Sequence, residues 1–492
     1  MKSAKTRPNI LLITTDQQRH DSVGPLAPAW MRAPHFDHLR RGGITFTSAY
    51  ADCPICVPSR VSIMTGKTVF QHGLCFNGTS SDAVDRGTSL PTCLARAGYQ
   101  TAAIGKMHFT PQRARHGFDE MILPADYYRT MRQSGSVFQP MRHGLGQNEL
   151  YPGMATVPEC CTLTAWTAEQ CVDYIRERRD PGLPFFLWCS FSKPHPPLDP
   201  PEPYYSMYRD CEIPSPVRGE WSADDRCPDA FRRARQGQSY DRVPDAVLRE
   251  ARAAYAGLIT QIDYNLGRVF AALQDCRLFD ETLMLYTSDH GEFLGDHGAG
   301  GKKFFHEPAA HVPFVLRPPQ SWGGDLAGTE CRALVTPADV LPTLLAAAGG
   351  PIPGGVDGLN ALAVAAGQAE PRALLEATVG SPGATALSEV DYLALTDGRW
   401  KYIWYPHGAA EQLFDLNSDP HELQDLSEAT EHKARKEALR ETLLRRHRER
   451  RSPCLEEGRL PERAIDPRGE RECRARSWPG YHTEYHEVDV RH

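Results

Sequence analysis

No stretch of the 492 residues strings together the roughly 18 apolar residues that a membrane-spanning helix needs. Met1 to Pro8 is polar and basic, and the apolar run that follows, Ile10 to Ile13, falls short of a signal-peptide core of about 7–15 residues. A cytoplasmic protein without a membrane partner is therefore expected. A basic surplus is also missing: 55 Lys and Arg stand against 62 Asp and Glu, a net charge of −7, which argues against a nucleic-acid partner. The 14 cysteines are scattered along a long chain, unlike the dense framework of a small secreted scaffold, and most are expected to be reduced and buried. Internal repeats are absent. What remains is 41% hydrophobic and 24% charged, an ordinary globular composition long enough for two to four domains at roughly 150 residues each.

Short apolar runs recur. Asn9 to Thr15, Gln100 to Ile104, Phe185 to Phe191, Leu283 to Ser288 and Val312 to Leu316 each suit a strand covered on both faces. Helical patterns lie between them, at Thr167 to Arg178 and at Asp245 to Gln274, where Leu248, Ala251, Tyr255, Leu258, Ile262, Leu266 and Val269 recur at three- and four-residue spacing. Strands alternating with helices predict an α/β domain with a mainly parallel central sheet flanked by helices. Polar residues follow the runs directly: Asp16 the first, Lys106 the second, His195 the third, Asp289 and His290 the fourth. Ligands of open α/β sheets bind outside the carboxyl ends of the strands, so these positions form the candidate site.

The Ala-, Gly- and Pro-rich stretch from Ala361 to Gly380 suggests a boundary, with a catalytic α/β domain over 1–370. Strand-like pieces at Tyr392 to Thr396, Lys401 to Tyr405 and Gln412 to Asp415, then a charged helix from Ser427 to Arg451, predict a small antiparallel α+β subdomain over 371–452. The basic residues of that helix are expected to be a solvated face. Residues 453–492 form an extension whose Trp478, Tyr481 and Tyr485 suggest docking on the body or on another subunit of a homo-oligomer.

The sharpest local signal is Cys56-Val57-Pro58-Ser59-Arg60 followed by Thr65-Gly66. Its six defining positions would coincide by chance in such a chain with a probability on the order of 10⁻⁵. Here the sequence resembles the formylglycine-dependent sulfatase family of the alkaline-phosphatase superfamily. Arg7-Pro8-Asn9-Ile10 to Asp16, Gly105-Lys106-Met107-His108, Pro194-His195-Pro196-Pro197, Ser288-Asp289-His290-Gly291 and Gly301-Lys302 through His306-Glu307 are similar to family blocks and stand in family order. Leu413-Phe414-Asp415-Leu416 and Asp419-Pro420-His421-Glu422-Leu423 resemble the C-terminal block, so the likeness runs from about residue 7 to 427.

The resemblance implies an alkaline-phosphatase-like fold and a sulfuric ester hydrolase. Cys56 would be converted to formylglycine by a formylglycine-generating enzyme, and one hydroxyl of the hydrated aldehyde would attack sulfur while the other later expels sulfate. Arg60 would hold this nucleophile. Asp16, Asp289, His290 and modified Cys56 would bind one divalent cation, with Gln17 either a ligand or a neighbour. Lys106 and His108 would clamp the sulfate and help expel it. His195 and Lys302 would contact the leaving oxygen; adjacent Lys303 is the rival for that place. Asn77 either hydrogen-bonds an anionic oxygen or is a turn residue before Gly78. The chemistry agrees, since a sulfate ester needs a nucleophile, cations for its oxygens and an acid for the departing alcohol.

Two departures matter. Asp16-Gln17 stands where the family often has Asp-Asp, and Asp289-His290 where it often has Asp-Asn. Calcium is the family's usual ion, but an imidazole ligand makes manganese a rival. The same departures resemble phosphonate monoester and phosphodiester hydrolases, whereas Lys106-x-His108 is the sulfatase pattern, and Gly-Lys-Met-His-Phe is also similar to choline sulfatases. Other readings are a redox pair at Cys53 and Cys56, a plain buried thiol at Cys56, a helix cap at Asp289, and a binding protein without activity. The segments Leu123 to Val157 and Pro196 to Val243 look like insertions and are the expected specificity regions.

Overall fold

A computed structural model describes residues 7–464 apart from 79, 134–138, 224–225, 324–325 and 381–385. Eight strands form one sheet: β1 (Asn9–Asp16), β2 (Ile44–Ala49), β3 (Gln100–Gly105), β4 (Glu120–Ile122), β5 (Phe185–Pro194), β6 (Thr282–Ser288), β7 (Phe314–Arg317) and β8 (Thr329–Val335). Their order is β4-β3-β5-β1-β6-β7-β2-β8. Neighbours are parallel except at β7, which runs against both β6 and β2. In β1, Leu11 and Ile13 enter one apolar core while Ile10 and Leu12 enter another. Burial on both faces is why this strand reads as a continuous apolar run rather than an alternating one.

The helix Asp245–Asp275 covers one face, with a buried stripe from Leu248 to Leu273. Leu163–Asp173 is α-helical, capped by Thr162, whose hydroxyl accepts from the Ala165 amide at 3.2 Å. The expected helix Thr167 to Arg178 thus begins earlier, at Leu163, and its last part, Tyr174–Arg178, winds as a wider π turn. Among the strands, β2, β4 and β8 left no clear trace in the sequence. β8 is an edge strand with an exposed polar first half, and β4 has three half-buried residues.

A second sheet carries β9 (Leu375–Gly380), β10 (Val390–Thr396), β11 (Trp400–Tyr405) and β12 (Ala410–Asp415), antiparallel in the order β12-β11-β10-β9. The helix Lys433–Glu449 packs on it through Leu439, Leu443 and His447. Its basic residues are not simply solvated: Arg446 pairs with Glu376 at 2.6 Å, and the Arg440 guanidinium stands over Trp404. The chain then lies back on the same sheet. Trp404 Nε1 donates to the Pro461 carbonyl at 3.2 Å and the Arg463 amide to Pro406 at 2.8 Å. Trp478, Tyr481 and Tyr485 lie outside the described residues. The two sheets share an apolar core in which Tyr50, Phe293, Phe304 and Phe305 meet Tyr392, Tyr402 and Phe414. At its centre Lys401 of β11, wholly buried, reaches Glu307 at 2.7 Å and Glu422 at 2.6 Å. Among the described residues no helix is long and apolar enough to cross a membrane.

Candidate active site

The carboxyl ends of β1, β3, β5 and β6 deliver Asp16, Lys106, His195, Asp289 and His290 to one place. Local backbone geometry makes this close approach possible. At Gly105, φ is +99° and a Cβ would stand 1.9 Å from the Ser190 carbonyl oxygen, so only glycine lets β3 hand Lys106 to the site. Gln17, His108 and Lys303 take left-handed φ of 70°, 57° and 105° without being glycine. Strain of this kind persists where the surrounding structure enforces it, commonly at functional sites.

Cys56 is the first residue of a wholly buried helix, Cys56–Thr65, that ends on the left-handed Gly66. The Cys56 sulfur lies 3.2 Å from His290 Nε2 and 3.9 Å from Asp16 Oδ1. His290 Nε2 is also 3.7 Å from Asp289 Oδ1 and 3.8 Å from Asp16 Oδ1, all on side chains without solvent exposure. The four ligand atoms of Asp16, Cys56, Asp289 and His290 lie within 4.8 Å of one another.

Arg60, one turn beyond Cys56, binds from within the fold. Its Nε donates to Asp289 Oδ2 at 2.9 Å, its Nη2 to Asp16 Oδ2 at 3.5 Å, and its Nη1 to Ser190 Oγ at 2.9 Å and to the Lys106 carbonyl. These donors hold the two carboxylates that face Cys56 rather than the thiol itself. Asn77 is exposed, and its Oδ1 accepts from the Val57 amide at 3.1 Å. It caps a helix end whose first amides have no internal partner, and so steadies the turn that carries Cys56.

Lys106 Nζ sits 2.8 Å from Asp16 Oδ2 and keeps some exposure. The imidazoles of His108 and His195 both bear on the Cys56 thiol. His195 Nδ1 donates to the Pro196 carbonyl at 2.8 Å, which leaves Nε2 as an acceptor for Lys302 Nζ at 2.9 Å. Lys302 also donates to Gln17 Oε1 at 2.7 Å. Lys303 points elsewhere and pairs with Asp391 of β10 at 2.5 Å, so Lys302 is the lysine at the site. The Gln17 amide is fully engaged: its nitrogen donates to Glu292 while its oxygen receives Lys302. In this arrangement Gln17 bridges rather than joining the carboxylate cluster.

The charges are coupled. Burial and the neighbouring Cys56 push the Asp16 carboxyl up, but Lys106, His195 and Arg60 outweigh them and hold it well below the usual range. Burial, with Asp16 beside it, leaves the Asp289 carboxyl raised. Burial pushes the Cys56 thiol up, yet Lys302, His290 and Lys106 bring it well below the ordinary value. His195 is pushed down to about 4 by burial and then by Lys302 and Lys106, so it is neutral at pH 7.

Two residues that sequence reasoning missed complete the site. Buried Glu292 accepts from Gln17, from the Leu294 amide at 2.8 Å and from the Gly301 amide at 2.5 Å, and so orients Gln17 toward Lys302. Ser190 links Arg60 to Thr14. Glu292 adjoins the Ser288-to-Gly291 block, and that adjacency was its only trace.

Cys53, the proposed redox partner of Cys56, is engaged elsewhere. The described cysteines are free, and Cys53 Sγ donates instead to the Cys75 carbonyl at 3.5 Å. A second cluster, His20, Glu307 and His311, does not suit a metal. Its two imidazoles stack at 3.7 Å with planes 7° apart, so lone pairs lying in parallel planes cannot converge on one ion.

A family model described as Sulfatase matches residues 8–350, and one described as N-sulphoglucosamine sulphohydrolase, C-terminal, matches residues 295–449. An arylsulfatase of Clostridium perfringens is 31% identical over 472 residues, covering 89% of this chain and 94% of its own. A choline-sulfatase of Rhizobium meliloti is 33% identical over 447 residues, covering 86% and 83%. In fold, the phosphonate monoester hydrolase of Agrobacterium radiobacter superposes with a TM-score of 0.74 at 24% identity, covering 90% of this chain and 96% of its own.

Proposed function

The chain belongs to the sulfatase family of the alkaline-phosphatase superfamily, and from that premise we propose that it hydrolyses sulfate esters with a nucleophile made from Cys56. The observation that carries this reading is the buried Asp16–Cys56–Asp289–His290 cluster, with Lys106, His108, His195 and Lys302 around it. Conversion of Cys56 to formylglycine by a formylglycine-generating enzyme is part of the proposal. The Cys56 sulfur stands in for a hydroxyl oxygen of that residue, whose hydroxyl-bearing carbon is the Cys56 Cβ.

The donor set fits a divalent cation. Two carboxylates and a thiolate converge on one point, and burial, then repulsion from Asp16, raises Asp289 even with Arg60 between the carboxylates. His290 is pre-set as a ligand, because Nδ1 donates to the Gly291 carbonyl at 2.9 Å and leaves the Nε2 lone pair facing the cluster. Asp16, Asp289, His290 and residue 56 would hold the ion, and an imidazole in the set favours manganese over calcium. When bound, the cation lowers the pKa of the nucleophilic hydroxyl and offsets charge on the sulfate oxygens.

The protein's own groups do the rest. Arg60 keeps Asp16 and Asp289 in register. The Lys106 ammonium, already beside Asp16, faces the sulfate oxygens, and His108 accepts and returns a proton at residue 56. The Lys302 ammonium holds the proton that the leaving oxygen needs, and neutral His195 accepts from it and fixes its direction.

A second reading, hydrolysis of phosphonate monoesters or phosphodiesters, is favoured by His290 and Gln17 at the metal end of the site, while the Lys106-x-His108 pair favours sulfate. The test is kcat/KM for p-nitrophenyl sulfate against a p-nitrophenyl phosphonate monoester, each with calcium and with manganese. A large sulfate preference is expected. A large phosphonate preference would replace the first reading by the second.

A further inference from the structure

A chamber of about 740 Å³ opens beside the cluster. Lys106, His108 and His195 form its inner end, so it begins where the oxygen of a departing alcohol would lie. Its far walls come from the segments after β3 and β5 and from residues 123–128, 140–147 and 155–164. Leu123, Tyr127, Met141 and Val157, from the segment expected from sequence to set specificity, line the space into which the alcohol extends.

The chemistry of those walls is one-sided. Phe109, Leu123, Tyr127, Met141, Val157 and Leu163 supply apolar surface. The Tyr127 hydroxyl is tied to the Cys161 carbonyl at 2.7 Å, which leaves its ring for the chamber. Beyond Lys106 and the two histidines, the charged lining side chains are Arg113, Lys193 and Asp199, and each has an ion-pair partner within the protein. Lys193 pairs with Asp199, which also takes His143 at 3.0 Å, and Lys193 donates to the Pro197 carbonyl at 2.6 Å. Arg113 reaches Asp126 at 2.5 Å, a carboxylate it shares with Arg129. A quaternary ammonium would meet no uncompensated carboxylate here. Space of this size exceeds what a single ring fills and lies within the range of pockets that enclose drug-sized ligands, roughly 300–1,000 Å³.

We infer that the chamber selects esters of bulky, uncharged, apolar alcohols, such as fused aromatic ring systems. The inference rests on the sulfate-ester reading of the site. Specificity then comes from area removed from water, not from ion pairing, so each added ring raises kcat/KM by roughly tenfold while the leaving oxygen keeps its acidity.

The test is kcat/KM for phenyl, 2-naphthyl and phenanthryl sulfates, alongside choline sulfate and glucosamine 6-sulfate, with the same aryl series as methylphosphonate monoesters. The expected result is a rise along the aryl sulfates, with both polar sulfates below phenyl sulfate. Ala155→Trp, which puts an indole into the chamber wall, should abolish the rise. A flat aryl series in the unmutated protein overturns the inference, and so does choline or sugar sulfate exceeding phenanthryl sulfate. These readouts do not depend on the variant folding. Turnover of the phosphonate series alone would overturn the sulfate reading, and its own dependence on ring number would still decide the chamber's role.

Discussion

Replacing Lys302 should harm esters of weakly acidic alcohols far more than esters of strongly acidic ones. Lys302 Nζ lies 2.9 Å from His195 Nε2 and 2.7 Å from Gln17 Oε1, so it is held by two acceptors. His195, at about 4, carries a proton in roughly one molecule per thousand at pH 7. Charging it there costs about 4 kcal/mol. The proton ready for the leaving oxygen therefore sits on Lys302, and His195 aims it. General acid catalysis is worth roughly 10²–10⁴ in rate. Lys302→Ala should lower kcat/KM for phenyl sulfate by a factor in that range, but for p-nitrophenyl sulfate by less than about tenfold, since p-nitrophenolate leaves without a proton. His195→Ala should cost roughly tenfold on phenyl sulfate, and the double variant should be no worse than Lys302→Ala, because both act on one proton. The assay is steady-state kinetics across aryl sulfates of graded leaving-group acidity. Equal losses on phenyl and p-nitrophenyl sulfate would refute the assignment. A larger loss from His195→Ala than from Lys302→Ala would move the proton to the histidine.

Lys401→Met removes the cation between Glu307 and Glu422 in the core shared by the two sheets, and should cost about 3–5 kcal/mol in urea unfolding. Adding Glu422→Gln should recover part of that loss, and no loss in the single variant would show that the triad is dispensable. His447 is fully buried and pushed down to about 3 by burial, Arg450 and Arg446. The unfolded chain therefore binds its proton first, and stability present above pH ~6.5 falls by about 2 kcal/mol by pH 5. In His447→Leu the difference in unfolding free energy between pH 7 and pH 5 should shrink by that amount; an unchanged difference would assign the acid sensitivity elsewhere. A hundredfold excess of manganese over its Kd should add about 2.7 kcal/mol to unfolding free energy, and Asp289→Asn should lose most of this gain by calorimetry. An equal gain in the variant would place the ion elsewhere.

The end of each buried parallel strand was legible, because a strand covered on both faces must be an apolar run and its first polar residue marks the sheet edge. That reasoning brought Asp16, Lys106, His195, Asp289 and His290 together before any geometry was known, and the Cys56-to-Arg60 motif supplied the residue they surround. Half-buried or edge strands such as β2, β4 and β8 carry no such run and were not read. Three strands of the small antiparallel sheet were legible from their strand-like pieces and turns, whereas β9, within the stretch that reads as a boundary, and the fate of the basic helix were not. Arg446 and Arg450 find Glu376 some 70 residues away, and linear charge patterning does not reveal such a partner.

The sequence by itself determined which chemical groups the site contains and that they lie at strand ends, since both follow from local pattern and composition. Only the tertiary structure decided what each group touches. Gln17 is joined to Glu292 and Lys302, 275 and 285 residues away. Arg60 turned out to hold carboxylates, Asn77 to cap the helix of Cys56, and Lys303 to pair with β10 while Lys302 faces His195. The chamber is likewise a product of folding, assembled from segments between residues 106 and 261 that are contiguous only in space. Hydrogen bonds and cavity walls depend on distances of a few ångströms between residues far apart in the chain, and no spacing along a sequence encodes those distances.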